Sequence, residues 1–417
     1  MNDGKQKLWF KKHIVSFTSK SAFSATMIEK YSCIFQDLQK KIMSASLNSS
    51  EKLHGLDHLR AIAILLVLMY HYRAFKHPEW IDTIGQYGWT GVDLFFVLSG
   101  FLISGQLFQE IKKSGSISLK TFFTKRFFRI IPPYFFTLGL YFLFPLFRER
   151  EALSSFWKFI TFTQNYGLDV INRGTFSHAW SLCIEEQFYL ILPLVLLAAV
   201  RAKLFRYTVV FTVFLILFSL TSRFLTWKYA IVPVLDTPDF WKEWYMKIYY
   251  PTHTRLDGLA VGVIIGYLMN YSGGFQRMVH AHGNKIFILG ILLLGFSFWV
   301  CTDQFSEEAS IFGFSLVALS YGLILMAAVS ESSFLYRSKT IVTAELAGLS
   351  YAVYLSHKGI IHLVQAAFDH LGLEASGNIC LLTCLAGCIL VGLLYRFLIE
   401  RPSLKLKNRI LGIKKAG

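Results

Sequence analysis

Charged residues are scarce in this sequence. Asp, Glu, Lys and Arg make up 16% of its 417 residues, whereas apolar residues make up 54% and the mean hydropathy is +0.46. Soluble domains are about one quarter charged, so the composition excludes an ordinary water-soluble protein. Apolar runs near the ~20 residues that cross a hydrocarbon core recur about ten times. The sequence therefore predicts an all-α integral membrane protein, a bundle of about ten transmembrane helices.

Motifs of several soluble enzyme classes are also missing. The six cysteines include no C-x-x-C pair, and no histidine has the spacing of a zinc site. Cys380, Cys384 and Cys388 recur every fourth residue in one apolar segment, which indicates a packed face of a buried helix. Neither a P-loop nor a G-x-G-x-x-G motif occurs. We predict no disulfide and no metal ion.

Acidic residues are outnumbered, and the formal net charge is +16. In a soluble protein such an excess would indicate nucleic-acid binding. Here Lys and Arg lie mainly between apolar runs, where they specify membrane topology. We therefore predict the lipid bilayer as a partner and no nucleic acid.

The N-terminal region lacks the apolar core of 7 to 15 residues that a secretory signal needs. The first span is therefore expected to act as the insertion signal. An interfacial amphipathic helix and a disordered tail both fit this region, in which six residues fall at helical spacing: Met27, Tyr31, Ile34, Phe35, Leu38 and Ile42. We predict a cytoplasmic extension over 1–52, a transmembrane domain over 53–402 and a basic cytoplasmic tail over 403–417.

Alternate connections between the apolar runs differ in basic residues. Lys and Arg recur in the even-numbered connections and in both tails, whereas residues 303–308 and 369–376 contain neither, although the third and fifth connections carry several. Because basic connections stay cytoplasmic, we predict both termini in the cytoplasm and a multi-pass protein of a bacterial inner membrane. The predicted spans are 59–76, 89–109, 127–147, 180–200, 207–227, 252–271, 285–302, 309–329, 347–368 and 377–398.

Two long connections predicted to face outward are rich in Trp, Tyr and Phe. They cover residues 148–179 and 228–251. Aromatic rings suit a carbohydrate-facing vestibule, but they also form the belts found at membrane interfaces. Both interpretations remain open from the sequence.

Arg60 and His71 lie 11 positions apart in an apolar run. At 100° per residue this is three turns plus ~20°, so both project from one helix face, with His71 roughly 16 Å deeper. A guanidinium can bind the phosphates of a donor, and an imidazole can take a proton from a hydroxyl at neutral pH. We expect the two to share one polar cavity. The alternative is a snorkelling arginine and a structural histidine.

Glu185 lies in another apolar run, with Ser181 and Tyr189 one turn away on either side of it on the same helix face. A carboxylate within a span needs a partner. Glu185 is a candidate for orienting an imidazole or binding sugar hydroxyls, and a structural ion pair is the alternative.

Two arginines begin the third span. Arg126 and Arg129 are three residues apart, which suits anionic phosphates and equally lipid head groups. Asp93 is predicted to enter the second span from outside. Small residues in that span permit close helix packing: Gly91, Ser99, Gly100, Ser104 and Gly105.

In these motifs, residues 55 to about 402 resemble acyltransferase family 3, the multi-pass membrane enzymes that O-acetylate lipopolysaccharide, peptidoglycan, exopolysaccharides and some small molecules. The resemblance rests on the order and spacing of LRAIAILLVLMYH, GVDLFFVLSGFLI, KRFFRIIPPY, HAWSLCIEEQFY, RLDGLAVG, LSYAVYLSH and IERP. It implies a membrane O-acyltransferase that uses cytoplasmic acetyl-CoA, or another short acyl-CoA, and an exported glycan such as lipopolysaccharide O-antigen or another cell-surface polysaccharide.

The resemblance also implies roles for individual residues. Catalytic roles fall to His71 and Glu185, and donor binding falls to Arg60, Arg126 and Arg129. Substrate-binding positions are Asp93, Trp180, Ser181, Tyr189 and Asp257. His58 stands where the family often has Gly, and Ser356-His357-Lys358 replaces the commoner Trp-His-Trp/Pro, so no catalytic role is carried over to His357.

A different class of function also fits the residues. In a glycolipid transporter or flippase the buried Arg, His and Glu would line a translocation path, and in a sensory or scaffold protein they would only hold helices together. The acceptor hydroxyl and the oligomeric state do not follow from the sequence.

Overall fold

The computed structural model describes residues 54–150 and 152–412. Twelve helices of nine or more residues cover most of this part of the chain: α1 His54–Tyr72, α2 Thr90–Ser114, α3 Leu119–Leu143, α4 Trp180–Arg201, α5 Thr208–Thr226, α6 Asp257–Tyr271, α7 Gly273–Ala281, α8 Gly283–Val300, α9 Phe314–Ala328, α10 Ile341–His370, α11 Asn378–Tyr395 and α12 Arg401–Ile410. The predicted extension 1–52 and the last residues of the basic tail lie outside the described residues.

Shorter helices occupy the connections. They are Trp80–Gly85, Phe156–Ile160, Phe240–Trp244 and Phe334–Arg337. Wider π-helical turns extend or join the longer helices at Trp227–Ile231, Tyr245–Tyr249, Ala309–Gly313 and Arg396–Glu400. The basic residues from position 401 therefore begin on a helix, α12, which continues from α11 through one such turn.

The described residues form an all-helical, multi-pass membrane protein. Six helical segments are long and apolar enough to cross a membrane, and α6 with α7, bent by 105°, adds a seventh if the pair is one span. These segments are Trp80–Ser114, Ser177–Arg201, Phe205–Val234, Gly283–Val300, Ala309–Ala328 and Asn378–Ile410. Helices α1, α3 and α10 coincide with predicted spans, but their charged residues and histidines lower their hydropathy. The count of ten spans therefore stays a prediction.

Small residues allow the second predicted span to pack closely, as expected. A Cβ atom at Gly91 would lie 2.6 Å from the Ala63 carbonyl oxygen of α1, and one at Gly100 would lie 2.2 Å from the Leu259 carbonyl oxygen of α6. Gly105 differs, since nothing lies within 4 Å of its Cβ position. Helices α1 and α6 therefore approach α2 closely along its first half.

Two buried ion pairs connect α2, α5, α6 and the turn before α6. The Arg223 guanidinium lies 2.6 Å from the Asp257 carboxylate, which also accepts a hydrogen bond from Ser315. Arg255 lies 2.8 Å from Asp93. Both carboxylates are almost fully buried. These two predicted substrate-binding residues are thus placed inside the helix bundle.

Candidate functional site

One cavity, of about 210 Å³, lies among α1, α2, α3, α4 and α10. We call it the arginine cavity. Six of the predicted catalytic, donor-binding and substrate-binding residues line it: Arg60, Arg126, Arg129, Ser181, Glu185 and Tyr189. The structure therefore brings together residues from three of the sequence motifs.

The three guanidinium groups of the arginine cavity keep free donors. Arg60 has one carboxylate partner, three residues earlier, at 3.7 Å. Arg126 donates to Gln106 at 2.8 Å, while its Nε–H has no partner. Arg129 lies 3.4 Å from Glu400. Each guanidinium carries five N–H donors, so the cavity can bind a phosphorylated ligand.

Glu185 also lines the arginine cavity. It accepts a hydrogen bond of 2.8 Å from Tyr189, whose hydroxyl also lies 3.0 Å from Ser99. Within the described part of the chain, no Lys or Arg side chain forms an ion pair with Glu185. The structural ion pair considered from the sequence is therefore not observed.

A second cavity, of about 330 Å³, lies around the C-terminal end of α1. We call it the histidine cavity, because His71 and His178 line it together with Lys358. Much of its remaining wall is aromatic: Tyr70, Trp89, Trp180, Trp241, Tyr245, Tyr249 and Tyr250. Four of these rings come from the long aromatic connection at 228–251, so that connection forms a vestibule wall.

His71 is held by a second histidine. Its Nδ1 atom lies 3.0 Å from Nε2 of His357, and Nδ1 of His357 lies 2.8 Å from the Tyr354 carbonyl oxygen. A carbonyl only accepts hydrogen bonds, so a neutral His357 carries its proton on Nδ1 and accepts at Nε2. His71 must then donate from Nδ1. Its Nε2 lone pair is left free in a half-buried side chain that lines the histidine cavity.

His178 completes the group of imidazoles. Its ring centre lies 5.8 Å from that of His71 and 4.7 Å from that of His357. Its Nε2 atom lies 3.2 Å from the Leu355 carbonyl oxygen, and its buried Nδ1 has no partner. The described residues contain no group of three or more side chains arranged to hold a metal ion.

Sequence reasoning assigned no role to three residues in or beside this cavity. Lys358 lies 3.1 Å from the Ser177 hydroxyl and 3.7 Å from Glu149, and the other two are His178 and His357. The available signal was an ionisable side chain in an apolar run. This signal was used to predict a role for His71 but not for His178, His357 or Lys358.

The expectation that Arg60 and His71 share one cavity is wrong. Arg60 lines the arginine cavity, His71 lines the histidine cavity, and Tyr354 lies between the two cavities. The side chain of Tyr354 comes from α10, so the repeat within α1 carried no information about it. Glu185 also lies in the arginine cavity and does not contact His71.

The other predicted substrate-binding residues divide between the two cavities and the core. Trp180 lines the histidine cavity, whereas its neighbour Ser181 lines the arginine cavity. Asp93 and Asp257 line neither, because each is engaged in a buried ion pair.

The two long aromatic connections, 148–179 and 228–251, are tied together at Asp169. Its carboxylate lies 3.8 Å from Lys242 and accepts a 2.7 Å hydrogen bond from the Asn172 side chain. Burial acts to raise the pKa of Asp169, but the hydrogen bonds from Asn172 and Ile171, together with Lys242, leave this pKa below its ordinary value. The carboxylate is therefore charged where these connections border the histidine cavity.

Comparisons with known proteins point to one family. A family model described as an acyltransferase domain, that of acyltransferase family 3, matches residues 53–395. The chain is 29% identical over 340 residues to the O-acetyltransferase OatA of Staphylococcus aureus strain NCTC 8325, and the match covers 77% of this chain and 52% of the relative. OatA of strain COL matches equally. The chain thus spans about half the length of these curated relatives, and no solved structure gives a significant match.

The matched region includes every residue that lines either cavity. It also includes all of the seven sequence motifs except the last, IERP. Since the family model covers most of the chain, the chain belongs to acyltransferase family 3.

Proposed function

We propose that this chain is a bacterial inner-membrane O-acyltransferase. It transfers an acyl group, proposed to be acetyl, to a hydroxyl of an exported glycan. The donor is cytoplasmic acetyl-CoA or another short acyl-CoA. The acceptor is lipopolysaccharide O-antigen or another cell-surface polysaccharide. The family and the printed name of its O-acetyltransferase relatives support the reaction class. The observation that carries the proposal is the free Nε2 of His71 in a cavity with aromatic walls.

The proposed topology has ten spans and both termini in the cytoplasm. The basic start of α3 supports this orientation, because Lys125, Arg126 and Arg129 lie at that end of the bundle. The arginine cavity then opens toward the cytoplasmic pool of acyl-CoA. The histidine cavity opens toward the exported acceptor.

Donor binding is assigned to the arginine cavity. Arg60, Arg126 and Arg129 bind the phosphates of acyl-CoA, since guanidinium groups match phosphate oxygens in pairs. The acyl thioester then extends along the cavity toward Ser181 and Tyr354, which line it near its boundary with the histidine cavity.

Acceptor activation is assigned to His71. The acceptor hydroxyl gives its proton to Nε2 of His71, and its oxygen forms a bond to the thioester carbonyl carbon. The carbon–sulfur bond breaks, and the departing thiolate takes up the proton from the imidazolium. His357 is a positioning residue, because it fixes the tautomer of His71 without lining the cavity.

The aromatic wall suits a sugar acceptor. Trp and Tyr rings offer flat apolar faces with polar edges, which match the C–H face and the hydroxyls of a pyranose. Trp180, Trp241, Tyr245 and Tyr250 lie around the cavity that His71 enters. The acceptor hydroxyl would be placed by these rings.

One observation favours a second candidate, a glycolipid transporter or flippase. Two cavities that approach each other from opposite ends of the bundle, with a thin layer between them, also occur in alternating-access carriers. Movement of a labelled glycolipid across vesicles without acyl-CoA would identify this activity.

The proposal is tested by mass spectrometry of surface polysaccharide from cells with and without the chain. Cells with the intact chain should show glycan carrying the mass of an acyl group, and cells with His71→Ala should not. His370→Ala is the matched control, because this exposed histidine at the end of α10 lines neither cavity. Full acylation in the His71→Ala strain would exclude the proposed mechanism.

A further inference from the structure

The layer between the two cavities is formed at this level by two packed side chains, those of Tyr354 and His178. The Tyr354 ring lines the arginine cavity and lies 5.7 Å, centre to centre, from the ring of His178, which lines the histidine cavity. The neighbouring residues Trp180 and Ser181 line opposite cavities.

The Tyr354 hydroxyl is held from both sides of this layer. It donates a hydrogen bond to the His178 carbonyl oxygen and lies 2.5 Å from the Ser181 hydroxyl. A phenol has one proton. That proton is directed to the carbonyl, so Ser181 donates to the Tyr354 oxygen, and the ring is fixed across the boundary.

The same part of α10 also carries His357, the residue that orients His71. The Tyr354 backbone carbonyl accepts the hydrogen bond of His357, and His357 in turn accepts that of His71. A thioester reaching this layer from the arginine cavity and a hydroxyl activated by His71 must meet beside Tyr354. The Tyr354 hydroxyl is therefore within the layer where the acyl carbonyl has to lie.

We propose that Tyr354 is both the partition between the cavities and a catalytic hydrogen-bond donor. This inference rests on the proposed acyl transfer. When the acyl thioester arrives, the Tyr354 hydroxyl leaves the His178 carbonyl and donates to the thioester carbonyl oxygen. As the acceptor oxygen adds, that carbonyl oxygen becomes negative, and the donated hydrogen bond stabilises it.

The step balances without a further reactant. The new carbon–oxygen bond forms as the proton of the acceptor hydroxyl passes to His71. The carbonyl double bond reforms when the carbon–sulfur bond breaks, and the thiolate receives the proton from His71. Tyr354 keeps its own proton throughout and returns to the His178 carbonyl.

The catalytic part is tested by Tyr354→Phe, which keeps the ring and removes the hydroxyl. We expect kcat to fall about 100- to 1,000-fold, the range for loss of one such donor, while KM for acyl-CoA changes little. Tyr134→Phe is the matched control, because its buried hydroxyl also donates to a backbone carbonyl, that of Phe159 at 3.1 Å, but lines neither cavity. A kcat for Tyr354→Phe equal to that of the control would overturn the catalytic role.

The partition is tested by a measurement that needs no acyl transfer. In vesicles of known orientation, a Ser181→Cys chain is exposed to a membrane-impermeant thiol reagent on either side, with the parent chain measuring background labelling. The introduced thiol should react from one side only, and from both sides once Tyr354→Ala is added. One-sided labelling of the double variant would overturn the partition.

The two tests separate this inference from the proposed function. If the parent chain transfers no acyl group but the labelling changes as expected, the proposed function is wrong and the partition is supported. If the parent chain and Tyr354→Phe both transfer acyl groups normally, the proposed function is supported and the catalytic role of Tyr354 is wrong.

Discussion

The Nδ1 atom of His71 lies 3.0 Å from the Nε2 atom of His357, which is 286 positions away in the chain. Helix α10 thereby supplies the partner that fixes the tautomer of the base on α1. A backbone carbonyl, that of Tyr354, ends this chain of hydrogen bonds. The arrangement is neutral, since neither imidazole needs a carboxylate to hold its proton in place.

Replacing His357 should impair catalysis without impairing donor binding. For His357→Leu we expect kcat to fall about 100-fold, because the proton of His71 loses its acceptor and both tautomers become populated. His357→Gln should recover part of this rate, since an amide oxygen accepts the same N–H. Steady-state kinetics in proteoliposomes measure both. Equal losses in the two variants would contradict the orienting role.

Replacing Arg126 by lysine should weaken donor binding. An ammonium keeps the charge but not the paired N–H donors, so KM for acyl-CoA should rise about 10-fold. The same result is expected for Arg60→Lys. Arg206→Lys is the control, because that exposed guanidinium donates to the neighbouring Tyr207 and lines neither cavity. Titration with a non-reactive acyl-CoA analogue gives the affinity directly, and unchanged affinities would argue against phosphate binding.

Replacing Trp241 by alanine should affect the acceptor alone. Loss of one aromatic face should raise KM for the glycan roughly 3- to 10-fold, the equivalent of about 0.5–1.5 kcal/mol, and leave KM for acyl-CoA unchanged. Trp299→Ala is the matched control, because this ring is 72% exposed and lines neither cavity. If both variants behave alike, the aromatic vestibule does not bind the acceptor.

Breaking the Arg223–Asp257 pair should destabilise the fold. Arg223→Met leaves a buried carboxylate without its cation, which costs about 3–5 kcal/mol and should lower the melting temperature. Adding Asp257→Leu should recover most of the lost stability and leave the rate of acyl transfer per folded molecule unchanged. A folded double variant without activity would instead give Asp257 the substrate-binding role that the motif resemblance implied.

The ion pair between Asp169 and Lys242, which joins the two aromatic connections, should weaken in acid. The pKa of Asp169 is lower in the folded protein than its ordinary value, so its contribution is present above about pH 3.9, the unfolded value, and is lost as pH falls through the folded pKa. The protection of residues 165–175 against hydrogen exchange, taken relative to the intrinsic exchange rate at each pH, should therefore decrease below about pH 4. In Asp169→Asn the exchange should be faster already at neutral pH and respond less to acid.

Periodicity and charge predicted the parts of this site that are local in sequence. The helical character of α1 and the shared face of Ser181, Glu185 and Tyr189 depend on residues a few turns apart. Both were found as expected, because helix geometry alone determines them.

The parts that were wrong or missed depend on contacts between distant segments. The spacing of Arg60 and His71 describes one helix face, but α10 inserts Tyr354 between the cavities that those two residues line. Asp93 was expected to enter the second span from outside and to bind substrate, although Arg255 from the turn before α6 holds it in the core. Such pairings are set by tertiary packing, on which a single sequence carries little signal.

The thin layer at Tyr354 also bears on the membrane potential. If water fills both cavities, most of the voltage across the bilayer falls over the short distance spanned by the Tyr354 and His178 rings. In the proposed orientation a proton leaves a hydroxyl on the outer side and ends on a thiol on the inner side, so positive charge moves with an inside-negative field. A potential of 100 mV is worth about 2.3 kcal/mol per elementary charge, and the energised membrane would itself help to drive the acyl group outward.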